Sequence, residues 1–128
     1  IWDWPAARCR SWLRGHHGSV WALRPLRDGR LASCSSDATV RLWDCLNGRT
    51  CLTLEGLRGT VSGIDVLDDG HLASCSDDGT VRVWDLAAGS ATHVFEHPEG
   101  IECLAGVEGS GCLVGANPFG VMHLYDWA

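Results

Sequence analysis

Leu31-Ala-Ser-Cys-Ser-Ser-Asp-Ala-Thr-Val-Arg-Leu-Trp-Asp44 returns as Leu72-Ala-Ser-Cys-Ser-Asp-Asp-Gly-Thr-Val-Arg-Val-Trp-Asp85, with eleven of its fourteen positions unchanged. The Trp-Asp pair that ends both stretches also occurs at Trp2-Asp3, and Tyr125-Asp126 stands at the corresponding place in the last part of the chain. Successive copies of this position are 41 residues apart throughout. A fixed period of this size is typical of a repeat architecture. The sequence therefore predicts three repeats of about 41 residues.

Turn residues divide each repeat into short segments with the alternation of β-strands. In the first repeat, Asp28-Gly29 and Asn47-Gly48 are strong hairpin signals. Between them Val40 and Leu42 alternate with polar or amphipathic neighbours, as expected of a strand packed in a sheet. Such turns come too often for helices of usual length. The predicted fold class is all-β, with four-stranded antiparallel sheets.

A family resemblance rests on these motifs. Gly15-His16, an apolar-rich run, the Leu-Ala-Ser-x-Ser-x-Asp-x-Thr-Val-Arg stretch and Trp-Asp follow one another within one period. This order resembles the WD repeat, whose unit builds one blade of a β-propeller. The resemblance implies a partial propeller of three blades. Residues 1–14 are expected to hold the outer strand of a preceding blade, with the strand itself at Cys9–Leu13. Repeat one is expected in 15–55 and repeat two in 56–96. A degenerate repeat three, which lacks an outer strand, is expected in 97–128.

Three blades are fewer than the four to eight that usually close a propeller. The 128 residues are therefore not expected to form a closed monomer. We expect the remaining blades to come from the same longer chain, because the sequence begins mid-blade without a Met and its third repeat has drifted from the others. The alternative is a homo-oligomer in which the N-terminal outer strand of one copy completes the third blade of another.

The resemblance also implies a hydrogen-bonded tetrad that links a loop, a strand and a turn within one blade. Carried over by motif position, its members in the first repeat are His16, Ser33, Asp37 and Trp43. The second repeat retains a partial tetrad of Ser74, Asp78 and Trp84, with Leu57 at the histidine position. The third repeat retains only a histidine, His97.

Ser, His and Asp side chains near one another also suggest a catalytic triad. Hydrolase nucleophiles require an exposed site and an oxyanion hole, and the tetrad explains the same residues as a scaffold. No catalytic residue and no enzymatic activity are predicted.

In propellers of this family, partners often contact residues near the start of the inner strand and residues before the turn aspartate. The resemblance places the candidate binding face at Ser19, Trp21, Ser36, Thr60, Ser62, Asp77 and Glu102. An exposed Trp21 would be a candidate hot spot. The alternative for Trp21 is a core position between two blades.

Charge and cysteine content restrict the class of partner and the compartment. Residues 1–58 contain nine arginines and five acids, whereas 59–128 contain one arginine and eleven acids. The acidic part disfavours nucleic acid, while Arg24 and Arg27 could steer an acidic protein partner. No apolar run is long enough for a membrane span. Seven cysteines that follow the repeat favour reduced thiols in the cytoplasm or nucleus, and without C-x-x-C spacing no metal or cofactor is predicted.

These observations favour a non-enzymatic protein-protein interaction scaffold, or a substrate-recognition module, that binds a peptide or protein domain within a larger assembly. The alternative is a ubiquitin-ligase or ubiquitin-binding component, which the absence of lysine favours. Members that dock on a cullin adaptor often carry arginine two residues after the signature aspartate. Pro5, Leu46 and Ala87 stand there in this chain, which weakens that alternative.

Overall fold

The computed structural model describes residues 1–127 and contains thirteen β-strands. No helix occurs among these residues, and hence none that could cross a membrane. The strands are β1 (Trp2–Asp3), β2 (Arg8–Cys9), β3 (Val20–Pro25), β4 (Leu31–Ser35), β5 (Val40–Asp44), β6 (Arg49–Leu54), β7 (Val61–Val66), β8 (Leu72–Ser76), β9 (Thr80–Asp85), β10 (Ser90–Glu96), β11 (Cys103–Val107), β12 (Cys112–Ala116) and β13 (Met122–Asp126).

The strands form antiparallel sheets in chain order, and each of the three larger sheets corresponds to one blade. The first blade has the order β3-β4-β5-β6, and the second has β7-β8-β9-β10. The third blade has three strands, β11-β12-β13, and the short hairpin β1-β2 precedes the first blade. Hairpin turns between neighbouring strands explain this simple order, since antiparallel neighbours need only tight connections.

Two strand boundaries differ from those expected from the sequence. The strand expected at Cys9–Leu13 is reduced to β2, because its ladder partner is only β1, and the Ile1 carbonyl already accepts the amide of Arg10. In the third repeat, the apolar run Ile101–Val107 occupies the place of the inner strand and predicts a strand over its whole length, but the strand begins only at Cys103. Ile101 is instead fully buried against the second blade, where its amide donates to the Ser76 carbonyl at 3.3 Å.

The apolar core lies between neighbouring blades. Val40 and Leu42 of the first blade pack in one buried cluster with Val61 and Ile64 of the second. A second cluster joins the second and third blades, and its members are Leu67, Ala73, Cys75, Val81, Val83, Ile101, Leu104 and Leu113. Each fully buried aliphatic side chain of this size contributes roughly 1.5–3 kcal/mol. The blades are therefore held together by their faces.

Charged side chains add a second connection between the first two blades. Nε of Arg24 donates to the Asp65 carboxylate at 3.2 Å, and Asp65 also accepts the Gly106 amide of the third blade at 2.9 Å. One guanidinium nitrogen of Arg27 donates to the carbonyl of Asp68 at 3.2 Å. Both arginines thus contact the neighbouring blade.

Candidate binding face and its supporting hydrogen-bond network

The four tetrad residues of the first blade form one continuous hydrogen-bonded chain. Nδ1 of His16 lies 2.8 Å from the Asp37 carboxylate, and Nε2 lies 2.6 Å from the Ser33 hydroxyl. The indole N–H of Trp43 donates to the same hydroxyl oxygen at 2.8 Å. Because an ionised carboxylate only accepts, His16 carries its proton on Nδ1 and accepts the Ser33 proton on Nε2. Each donor in this chain therefore has an acceptor.

Asp37 also fixes the turn between β4 and β5. Its carboxylate accepts the hydroxyl and the amide of Thr39, at 2.6 and 3.0 Å, and the amide of His17 at 2.9 Å. Burial raises the pKa of Asp37, but the hydrogen bonds from Thr39, the His17 amide and His16 lower it by more. The pKa of this carboxyl consequently lies well below its usual value. Folding therefore favours the ionised form.

This depressed pKa predicts an acid-side loss of stability. The ordinary pKa of an aspartate is 3.8, so the contribution of Asp37 to stability is fully present above about pH 5 and is lost as the pH falls toward the lower folded value. We expect Asp37→Asn to show a shallower fall in the urea midpoint between about pH 4 and pH 2 than the unaltered chain. Parallel pH profiles of the two proteins would contradict this assignment.

The second blade retains the serine, aspartate and tryptophan of this network. The Trp84 indole donates to the Ser74 hydroxyl at 2.9 Å. Asp78 accepts the Arg58 amide at 2.8 Å and both the amide and the hydroxyl of Thr80. Leu57 occupies the histidine position and is buried in the apolar cluster. The network is thus divided into two unconnected halves.

The third blade uses different residues at the same places. A Cβ added at Gly115 would lie 3.2 Å from the Tyr125 ring, so the tyrosine fills the space that the buried serine occupies elsewhere. The tyrosine hydroxyl and Nε2 of His123 are buried without a hydrogen-bond partner in the described chain. The His97 ring lies against the His123 ring, with the centroids 3.9 Å apart and the planes tilted by 50°. His97 therefore does not replace His16.

Asn117 is a structural residue that the sequence reasoning missed. It is buried, and its side-chain oxygen accepts the amides of Phe119 and Val121 at 3.1 and 2.9 Å, while its amide group donates to the Glu99 carboxylate. It stands one period after Ser76, whose hydroxyl accepts the Asp78 amide in the same turn of the second blade. Because Asn117 and Ser76 occupy the same repeat position, the sequence could have indicated that Asn117 stabilises its turn.

Burial decides what the Ser-His-Asp arrangement can do chemically. The Ser33 residue is only 2% exposed, and its oxygen accepts the indole proton of Trp43. A nucleophilic hydroxyl must reach the substrate and needs an adjacent oxyanion hole. The arrangement is therefore suited to holding a blade together.

The network supports loops that carry most of the candidate binding face. In the first blade, Ser36 donates its amide to the Ser19 carbonyl at 2.9 Å, and the Ser36 hydroxyl accepts the Ser19 amide at 2.9 Å. In the second blade, the Asp77 amide donates to the Thr60 carbonyl at 3.0 Å. A Cβ added at Gly100 of the third blade would lie 3.2 Å from the Asp77 Cα. These contacts bring the predicted loop positions together.

All seven face residues are open to solvent in full or in part. Ser19, Trp21, Ser36, Asp77 and Glu102 are exposed, and Thr60 and Ser62 are half-buried. Ser62 differs from the others in its contacts. Its hydroxyl donates to the Ile101 carbonyl of the third blade at 2.7 Å and lies 3.5 Å from the Cys75 sulfur. Its side chain therefore takes part in the contact between two blades, and the proposed face is drawn without it.

The repeated sequence matches a known family. The family described as "WD40: WD domain, G-beta repeat" matches residues 7–44 and 48–85. Together these two segments include more than half of the 128 residues.

Curated relatives match over short segments. Mitochondrial division protein 1 of Pyricularia oryzae is 54% identical over 44 residues, which are 34% of this chain and 6% of that protein. Apoptotic protease-activating factor 1 of Homo sapiens is 40% identical over 48 residues, 38% of this chain and 4% of that protein. The matched part thus spans a small fraction of these relatives.

A solved structure supports the fold over most of the chain. The crystal structure of the WD40 beta propeller domain of Doa1 superposes with a TM-score of 0.79 and 29% sequence identity. The superposition covers 85% of this chain and 37% of the other. The predicted all-β fold of four-stranded propeller blades is confirmed.

Proposed function

Because this chain belongs to the WD domain, G-beta repeat family, we propose that it is a non-enzymatic interaction module that binds a peptide or a protein domain through its loop-side face. In this role it acts as a scaffold or substrate-recognition part of a larger assembly. The face consists of Ser19, Trp21, Ser36, Thr60, Asp77 and Glu102. Fold alone does not define a partner, so the support comes from the site itself.

The exposure of Trp21 is the observation that carries this proposal. Trp21 is 62% exposed, although β3 lies against β7 of the next blade. Its repeat equivalent, Ser62, is half-buried in the contact with the following blade. Large aromatic side chains anchor many protein interfaces because they bury much area with few rotatable bonds. A solvent-exposed indole beside an ordered loop pair is suited to this use.

The rigidity of the supporting loops is a second argument. Asp37 ties the turn that carries Ser36 to His16, His17 and Thr39. A face that is ordered before binding loses less conformational entropy when a partner is bound. Further blades, from additional repeats of a longer chain or from a second copy, complete the ring around this face.

The cysteines support an intracellular role, in the cytoplasm or nucleus. Burial raises the pKa of the Cys34 thiol to about 11 and that of Cys75 to about 12. Such thiols are held in the unreactive protonated form. They serve as small apolar side chains at one repeat position, which suits a reducing compartment.

Peptide selection on the chain tests the proposed function. Peptides selected from a display library would be measured by calorimetry with the unaltered chain and with Trp21→Ala. We expect this substitution to weaken binding at least about tenfold, as for a hot-spot aromatic residue. The stability of the variant should change little, because the side chain is exposed.

Trp4→Ala is the matched control. Trp4 is the most exposed tryptophan, in the turn between β1 and β2, and is outside the proposed face. It should leave the affinity unchanged. Equal affinity of the Trp21→Ala variant and the unaltered chain, or an equal loss with Trp4→Ala, would contradict the proposal.

A further inference from the structure

The blades have a second face at the end of their strands that points away from the loop-side face. In the first blade, Val20 pairs with Ser35 at the loop-side end of the β3-β4 ladder, and Pro25 pairs with Leu31 at the other end. The hairpins β7-β8 and β11-β12 follow the same plan. Their turns form the turn-side face, which carries a groove at each contact between two blades.

The two grooves on this face occupy equivalent places. The first groove, between the first and second blades, has a volume of about 360 Å³, and its lining includes Arg27, His71 and Leu86. The second groove, between the second and third blades, has a volume of about 250 Å³. The residues at the three corresponding repeat positions are Asp68, Cys112 and Trp127. Two basic groups and an aliphatic one are thus replaced by an acid, a thiol and an indole.

The basic groups of the first groove are already in use. Arg30 forms a salt bridge with Asp28 at 2.7 Å, and Nδ1 of His71 lies 2.8 Å from the Asp69 carboxylate. Arg27 donates to a backbone carbonyl of the second blade. All three basic side chains that line this groove therefore have partners in the chain itself.

The second groove has acidic groups that are not paired. It is lined by three carboxylates, those of Asp65, Asp68 and Glu108, and by one guanidinium, that of Arg27. Asp65 is bound by Arg24 and by a backbone amide. Arg27 donates to the backbone carbonyl of Asp68 and not to its carboxylate. Within residues 1–127 the ion pairs involve other acids, so Asp68 and Glu108 have no cationic partner there.

The electrostatic setting of this groove favours a cation. One oxygen of the Asp68 carboxylate accepts the Gly109 amide, and within residues 1–127 the other oxygen accepts no hydrogen bond. Residues 59–128 contain eleven acids and one arginine. An excess of one sign of charge around a groove attracts a ligand of the opposite sign. The expected ligand is therefore positively charged.

The walls of the second groove suit a long side chain with a charged end. The Trp127 amide donates to the Gly111 carbonyl at 3.1 Å, and the indole lies against the His71 ring with the centroids 5.8 Å apart. Val66 and Val107 supply aliphatic surface. The volume is below the range of about 300–1,000 Å³ that is usual for drug-sized ligands. The groove therefore fits one inserted side chain.

We propose that this groove binds an arginine side chain of a protein partner, at a second site separate from the loop-side face. Asp68 and Glu108 hold the guanidinium group, Trp127 stacks on its plane, and the methylene stem lies along Val66 and Val107. A guanidinium is planar, pairs with carboxylates through two N–H groups and stacks on aromatic rings. A lysine ammonium has neither the plane nor the paired donors.

Titration of the isotope-labelled chain with a capped Gly-Arg-Gly peptide tests this site. We expect the Trp127 indole and the Gly109 amide to shift, with a dissociation constant of about 1 mM, as for one anchored side chain. Replacement of the peptide arginine by lysine should weaken binding at least about threefold, and replacement by norleucine should abolish it. A rise in salt from about 50 to about 500 mM should also weaken binding.

Substitutions in the chain locate the site. Asp68→Asn and Glu108→Gln keep the size of the side chain, and each should weaken binding of the arginine peptide at least about fivefold. Trp127→Leu removes the aromatic wall and should weaken it at least about threefold. Asp28→Asn in the first groove and Trp21→Ala on the loop-side face are the matched controls, and they should leave the affinity unchanged.

Equal binding of the arginine and norleucine peptides to the unaltered chain would overturn the proposal, whatever the variants do. The absence of any shift up to about 10 mM arginine peptide would overturn it too. A loss with Asp28→Asn as large as that with Asp68→Asn would show attraction by net charge alone. Shifts confined to the loop-side face would overturn this second site and leave the function proposed for that face intact.

Discussion

Asp37→Ala is expected to lower the free energy of unfolding by about 2–4 kcal/mol. The substitution removes the acceptor for Nδ1 of His16, for the His17 amide and for both donors of Thr39. Nδ1 of the imidazole is then left with only the Thr39 hydroxyl oxygen, 3.3 Å away, in a site that is largely buried. Urea unfolding followed by tryptophan fluorescence would measure the change.

Asp78→Ala in the second blade is the matched comparison and should cost about 1–2 kcal/mol. Asp78 accepts the Arg58 amide and both donors of Thr80, as Asp37 accepts those of His17 and Thr39. Leu57 leaves no imidazole without a partner. Equal losses for the two aspartate variants would contradict the importance of the histidine link.

Trp84→Ala is expected to have an effect of about 3–5 kcal/mol, the largest of the single substitutions considered. The side chain is 2% exposed in the core between the first two blades, and its indole donates to Ser74. Removal leaves a cavity and an unpaired hydroxyl. The loss would be measured by chemical unfolding at low protein concentration.

Trp2→Ala is the control at the same repeat position. Trp2 is mostly exposed, because no blade is present on its inner side in residues 1–127. Its substitution should change the free energy of unfolding by less than about 0.5 kcal/mol. A loss for Trp2 comparable to that for Trp84 would mean that the first hairpin is packed like an internal blade.

The duplicated stretches explain why most of the fold could be predicted. β4 and β8 have the same Leu-Ala-Ser-Cys-Ser sequence, and the turns after them carry the same aspartate. In these two stretches the strand predicted from the local sequence is also the strand that the packed blade contains. Where a strand depends on a neighbour, prediction was less accurate. Ile101 reads as part of a strand but is used in the contact with the second blade.

The site was harder to predict for a related reason. Ser62 follows the face pattern, but the Ile101 carbonyl that its hydroxyl meets lies 39 residues away in another blade. Arg24 likewise meets Asp65 one full repeat later. Periodicity shows which residues occupy equivalent places, but not which of them face each other across a blade contact. The role of Asn117 was missed because asparagine replaces a serine in its turn.

Amide chemical-shift mapping is the most direct test of the binding face. The labelled chain would be titrated with a peptide selected against it, and the amides and the Trp21 indole would be followed. We expect the largest changes at the Trp21 indole, in the loops that contain Ser19 and Ser36, and near Asp77 and Glu102. Changes confined to the outer strands β6 and β10, or to the turns at Asp28 and Asp69, would contradict a partner bound at the loop-side face.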